Sequence, residues 1–105
     1  MDDAEFNRLA AETLERVRTA LEETGADVDV QEKGEGVLEL EFADGSKMVV
    51  NRHGAAKELW VAARSGGFHF RWDGSKWRDS RSGAEFFAAL STLLSAQSGV
   101  PVQLK

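Results

Sequence analysis

The chain has 105 residues, 18 of them acidic and 13 basic, and no cysteine. That length makes one domain, residues 1–105, able to bury roughly two-thirds of the surface its unfolded chain exposes. The missing cysteine excludes disulfides, thiolate nucleophiles and cysteine-ligated zinc or clusters. No apolar run approaches the ~20 residues that cross a bilayer, and the acidic start Met1-Asp2-Asp3-Ala4-Glu5 lacks the basic and then apolar pattern of a secretory leader. A cytoplasmic protein without membrane contact is expected.

The net charge of −5 is unevenly spread. Residues 1–45 hold 14 acids and 4 bases, whereas residues 46–105 hold 4 acids and 9 bases. Such a partition predicts one acidic surface and a separate basic one.

The first element is a helix over residues 3–24, where Phe6, Leu9, Ala10, Leu14, Val17 and Leu21 recur at helical spacing. Asp2 with Glu5 reads as a capping box, and Gly25 as a left-handed stop. Short strands follow. Val28 and Val30 alternate with Asp27, Asp29 and Gln31; Leu38, Leu40 and Phe42 alternate with Glu39 and Glu41. Asp44-Gly45 is a hairpin turn, after which Met48 and Val50 alternate with Lys47, Val49 and Asn51. Beyond turns at His53-Gly54 and Gly66-Gly67 come Leu59, Val61 and Ala63, then Phe68, Phe70 and Trp72. Asp73-Gly74 turns the chain into a short strand with Trp77. The last element is a helix opened by a capping box at Ser82 to Glu85, with Phe86, Phe87, Leu90, Leu93 and Leu94 as its apolar face. Polar Gln97 is expected to end that face, and Gly99 and Pro101 to stop the helix. The tail, Val100 to Leu104, is apolar enough to dock between the helices or to fray.

Regular alternation means a sheet covered on one face, and short connections mean antiparallel neighbours. The expected fold is α+β: a two-layer sandwich with two helices on one face of a five- to six-stranded antiparallel meander.

Two surfaces stand out. With Leu59 and Val61 facing the helices, Trp60, Asn51 and Glu58 point the other way. Trp60 there is either an anchor for a partner, a role in which tryptophan is enriched, or packs across strands on Asn51 or His69. The second surface is acidic. Glu12, Glu15, Glu22 and Glu23 lie off the apolar stripe, Asp27 and Asp29 follow on the first strand, and Asp2 and Asp3 begin the helix. Carboxylate sets without histidine or cysteine take hard cations such as Mg²⁺, Ca²⁺, Mn²⁺ and iron, weakly and with little selectivity. The other reading is a solvated helix face, because Arg8, Arg16 and Arg18 interleave with the glutamates.

Catalytic signatures are lacking: the sequence has no nucleophile elbow, no phosphate-binding loop and no dinucleotide fingerprint, and His53 and His69 do not have metal-pair spacing. A non-enzyme is expected. Lys47, Arg52, Arg71 and Trp60 suit single-stranded nucleic acid in type, but the pI near 5 and the carboxylates Glu39 and Glu41 on that face oppose it.

The segments Asp3-Ala4-Glu5-Phe6-Asn7-Arg8-Leu9-Ala10, Phe42-Ala43-Asp44-Gly45-Ser46-Lys47, Val50-Asn51-Arg52, Leu59-Trp60-Val61-Ala62, Gly66-Gly67-Phe68-His69-Phe70 and Arg81-Ser82-Gly83, in that order and spacing, resemble the bacterial frataxins over essentially the whole chain. The resemblance implies the same α–β sandwich and a protein that binds iron, Fe²⁺ or Fe³⁺, weakly and regulates iron–sulfur cluster assembly. It implies Asp3, Glu22, Glu23, Asp27 and Asp29 as the iron-binding ridge; Asp2, Glu12 and Glu15 join from the helix pattern. The same ridge would meet a basic surface on a cysteine desulfurase, and Trp60, Asn51 and Arg52 would face the desulfurase and the scaffold protein. A monomer is expected, with iron-dependent oligomers and ferroxidase or storage activity as the alternative. Arg18, Thr19 and Gln31 stand where related bacterial proteins often carry acids, and His53 and Glu58 where glutamines are common.

Overall fold

A computed structural model describes residues 1–104. Its first element, α1 (Asp3–Thr24), begins where Asp2 Oδ1 accepts the backbone N–H of Glu5 and ends at Gly25, whose φ of 70° places it in the left-handed region that glycine tolerates. Phe6, Ala10, Leu14, Val17 and Leu21 are buried along one stripe, as their spacing predicts.

Six strands follow: β1 (Val28–Glu32), β2 (Val37–Phe42), β3 (Lys47–His53), β4 (Glu58–Ala63), β5 (Gly66–Trp72) and β6 (Trp77–Asp79). They pair in chain order and antiparallel throughout. Aspartates close two of the turns by accepting local N–H groups: Asp44 from Ser46, and Asp73 from Ser75 and Lys76. Two expected boundaries move. Gly66 and Gly67 are not a turn but the first residues of β5, opposite Ala63 and Ala62; Arg64 and Ser65 make the two-residue connection. Asp27 lies in the bend before β1, outside the strand.

The last element is α2 (Phe86–Ser98). Its cap is Glu85, not a Ser82–Glu85 box: the Glu85 carboxylate accepts from the N–H groups of Phe87 and Ala88, and Ser82 Oγ accepts from Ala84 instead. The apolar face does not end before Gln97, which is only 8% exposed. Its amide donates to Ser46 Oγ and the Lys47 carbonyl and accepts from the Arg64 N–H, so a buried polar group is fully partnered. One side chain thereby ties α2 to the β2–β3 and β4–β5 turns.

Both helices cover the same sheet face. Leu38, Leu40, Met48, Val50, Leu59, Val61 and Phe70 meet Phe6, Val17, Phe86, Leu90 and Leu94 in one core. Trp77 closes one end, edge-on to Phe6, with its indole N–H donated to Thr13 Oγ1 at 2.9 Å. The tail is docked: Val102 and Leu104 are buried, and their N–H groups bond to Ser95 Oγ and Ser91 Oγ of α2. Among the described residues the opposite face of the sheet carries no helix, and it positions the second of the two candidate surfaces.

Candidate functional site

The expected acidic ridge is present but divided. Asp3 and Glu22 lie nineteen residues apart on α1, about 28 Å at 1.5 Å rise per residue, so Asp3 stands at the far end from Glu22, Glu23, Asp27 and Asp29. It is also engaged: Lys57 Nζ, in the β3–β4 turn, lies 2.9 Å from the Asp3 carboxylate. Asp2 uses one oxygen as the helix cap. At the other end, Glu22 and Glu23 are exposed at the close of α1, followed by Asp27 and by Asp29 on the open sheet face.

Glu12 and Glu15 diverge. Glu12 borders a depression with Trp72, Lys76 and Glu85, whereas Glu15 borders one with Glu32, Glu35 and Arg52 on the β1–β2 side. Glu12 pairs with Arg8 at 3.2 Å and Glu15 with Arg18 at 2.6 Å. Arg18 also feels Glu32 and Glu22, and the Glu15 hydrogen bond and charge raise its guanidinium above its ordinary pKa. It is therefore a fixed positive charge among the ridge carboxylates. Among the described residues no three acids or histidines converge closely enough to hold a metal ion as a set. The donor set consists of separate, solvated carboxylates, which suit a hard cation held loosely, through few protein oxygens and many waters.

The open sheet face holds the more ordered constellation. β3, β4 and β5 place six side chains in two cross-strand rows: Asn51, Trp60 and His69 in one, His53, Glu58 and Arg71 in the other. The indole of Trp60 is sandwiched between imidazoles. His53 stacks on one face with centroids 3.8 Å apart and planes 7° from parallel; His69 stacks on the other at 4.4 Å and 12°. Of the two sequence readings of Trp60, the cross-strand packing onto His69 is thus present, joined by His53, while the partner role is a separate matter. His53 is held in turn by the Ala56 N–H donating to its Nδ1.

Beneath the rings lies Glu58, on the open face by register yet only 6% exposed. It accepts the Trp60 Nε1–H at 2.9 Å and the Arg71 Nε–H at 2.6 Å, with His69 Nδ1 3.9 Å away. Burial by itself would raise its pKa; the hydrogen bonds from Arg71 and Trp60, aided by the Arg71 charge, outweigh it and hold the carboxyl below its ordinary value. Sequence reasoning placed Glu58 on this face but missed its burial. The available signal was register, since an acid with Trp two residues on and Arg directly across has both donors within reach.

The three expected partner residues are not on one face. Asn51 and Trp60 are register partners on the open side, and Asn51 Nδ2 donates to the Arg52 carbonyl. Arg52 pairs with Leu59, so its side chain emerges on the helix side. There it packs over Gly36, where a Cβ would come within 2.8 Å of it, and reaches Glu35 at 3.2 Å.

Two helices on one face of a six-stranded antiparallel meander make the α–β sandwich of the frataxin fold. The frataxin-like domain model matches residues 1–100. A relative from Dechloromonas aromatica, named iron-sulfur cluster assembly protein CyaY, is 58% identical with both chains fully covered, and one of the same name from Cupriavidus metallidurans is 49% identical over the whole of this chain and 97% of its own. The solved frataxin of Psychromonas ingrahamii superposes with a TM-score of 0.92 at 35% identity, covering 100% of this chain and 99% of that one. The chain belongs to the frataxin-like family.

Proposed function

We propose that this protein takes part in iron–sulfur cluster assembly as an iron-dependent adaptor that regulates a cysteine desulfurase. The relatives' shared name supports the assembly role. The observation that carries the finer reading is the group of exposed carboxylates at the junction of α1 and β1, Glu22, Glu23, Asp27 and Asp29, which no basic side chain pairs among the salt bridges of the described residues. Free, solvated acids at an edge bind Fe²⁺ or Fe³⁺ weakly and attract a basic protein surface by long-range attraction. Iron and partner then compete for the same oxygens, which makes iron a signal. Trp60 and Asn51 on the open face supply a second contact, to the scaffold protein. The expected setting is the cytoplasm; among the described residues no helix is long and apolar enough to cross a membrane.

An anaerobic amide-resolved NMR titration with Fe²⁺ tests the iron half. Broadening centred on Glu22, Glu23, Asp27 and Asp29 is expected, with Asp3 affected separately or not at all; broadening spread evenly over all exposed acids would overturn it. Desulfurase turnover measured with and without this protein, at two iron concentrations, tests the regulatory half, and identical rates would refute it. A ferroxidase storing iron in oligomers would instead consume oxygen on Fe²⁺ addition above the buffer rate.

A further inference from the structure

Glu58 sits where strand alternation should expose it, yet it is buried, with Arg71, Trp60 and His69 around its carboxylate. A carboxylate removed from water is tolerated only when charge-assisted hydrogen bonds replace the lost hydration. Here they come from the guanidinium of Arg71 at 2.6 Å and the indole N–H of Trp60 at 2.9 Å. The second bond runs along one strand, between residues i and i+2 on the same face. It engages the single donor that an indole possesses.

The consequence concerns what the open face offers. A tryptophan on a bare sheet ordinarily presents a flat apolar face and a free N–H. Trp60 presents neither: His53 and His69 cover its two faces, and Glu58 holds its donor. What remains is the outer edge of three parallel rings, flanked by Asn51 and by an Arg71 that is 68% exposed. We propose that Glu58 is the positioning residue that locks Trp60 edge-on, so that a protein partner on this face reads the ring edges of His53, Trp60 and His69 and not the indole plane. The inference rests on the reading that Trp60 faces the scaffold protein. It assigns a role to a residue that would otherwise count only as half of an ion pair with Arg71.

The Arg71 pair alone does not explain the arrangement. Arg71 could pair with Glu58 whatever the indole N–H did, whereas a carboxylate shared between the two pins the polar edge of a ring whose faces His53 and His69 hold. A ring already held before contact lowers the ordering cost of association.

The test uses the full-length protein labelled with ¹⁵N, with the Trp60 indole resonance identified by its loss in Trp60→Phe. Exchange of that indole N–H with water is compared in Glu58→Ala and Glu58→Gln, and binding of each variant to the purified desulfurase–scaffold complex is measured alongside Trp60→Ala. Glu58→Ala is expected to speed the exchange and to weaken binding by about two- to tenfold, the scale of ordering one side chain on association. Glu58→Gln keeps an acceptor oxygen for the indole and is expected to restore most of both, although it loses the charge opposite Arg71. Unchanged indole exchange in Glu58→Ala would overturn the positioning role. Unchanged binding in that variant, where Trp60→Ala binds weakly, would overturn its link to recognition. If Trp60→Ala itself binds normally, the docking reading of this face falls and takes the recognition half of the proposal with it, while the exchange rates still decide whether Glu58 positions the ring.

Discussion

His53 and Trp60 lie face to face across β3 and β4, with ring centroids 3.8 Å apart and planes within 7° of parallel, although they are not register partners. The contact is diagonal: His53 is opposite Glu58, and Trp60 is opposite Asn51. Diagonal neighbours lie within reach of large rings on a twisted sheet. The result is a stack in which an indole is shielded from water by polar rings, so a large apolar group sits on an open face without forming an apolar patch.

The stack should contribute measurably to stability. His53→Ala and His69→Ala are each expected to cost about 0.5–1.5 kcal/mol, the range for an aromatic pair beyond its buried area. Because both rings contact the same indole, the double variant should depart from additivity. Urea unfolding of the two single variants and the double variant measures this, and strictly additive losses of a few tenths would show that the rings merely lie close together.

Gln97 offers a sharper stability prediction. Gln97→Leu keeps approximate volume but strands the Arg64 N–H, the Lys47 carbonyl and Ser46 Oγ at the edge of the core. Each unsatisfied buried group costs about 1–3 kcal/mol, and partial access to water should hold the total to the order of one such loss. A shift of the urea midpoint without a change in slope is the expected signature.

Acid sensitivity should trace in part to Glu58. Its folded pKa lies below the ordinary 4.5, because the Arg71 and Trp60 hydrogen bonds outweigh the opposing effect of burial. The unfolded chain therefore takes up the proton first as pH falls. Glu58's contribution to stability is complete above its unfolded pKa and is lost as pH drops through the folded value. Glu58→Gln removes this dependence, so the stability gap between parent and variant should be widest near neutrality and narrow steadily on acidification below the ordinary carboxylate pKa. Unfolding curves across that range decide it; a constant gap would show that the ion pair is energetically silent.

The ridge can be thickened deliberately. Arg18 is the cation among Glu15, Glu22 and Glu32. Arg18→Glu replaces attraction by repulsion at a half-exposed position of the helix. The variant is expected to melt below the parent without metal and to gain more from added divalent cation or iron, since a ligand that binds the folded state stabilises it by mass action. Calorimetry with and without cation measures both terms. Equal cation responses in the two proteins would place cation binding away from the α1 carboxylates near Arg18.

The order of elements, the burial of one face of α1 and the alternation along every strand were legible in the sequence, because each depends on a period within a single segment. So were the partition of charge and the membership of the frataxin-like family, which rest on composition and on ordered local motifs. Tertiary structure decided what depends on two segments at once. Gln97 reads as the polar end of a helix face, yet it is buried because two distant turns bring groups that satisfy it. Glu58 reads as a solvated acid, yet register sets Arg71 across from it and the Trp60 indole N–H bonds to it. Glu12 and Glu15 share a helix but border different depressions. Periodicity assigns a residue to a face; only the packing of neighbouring strands and helices determines which groups meet there and whether water remains.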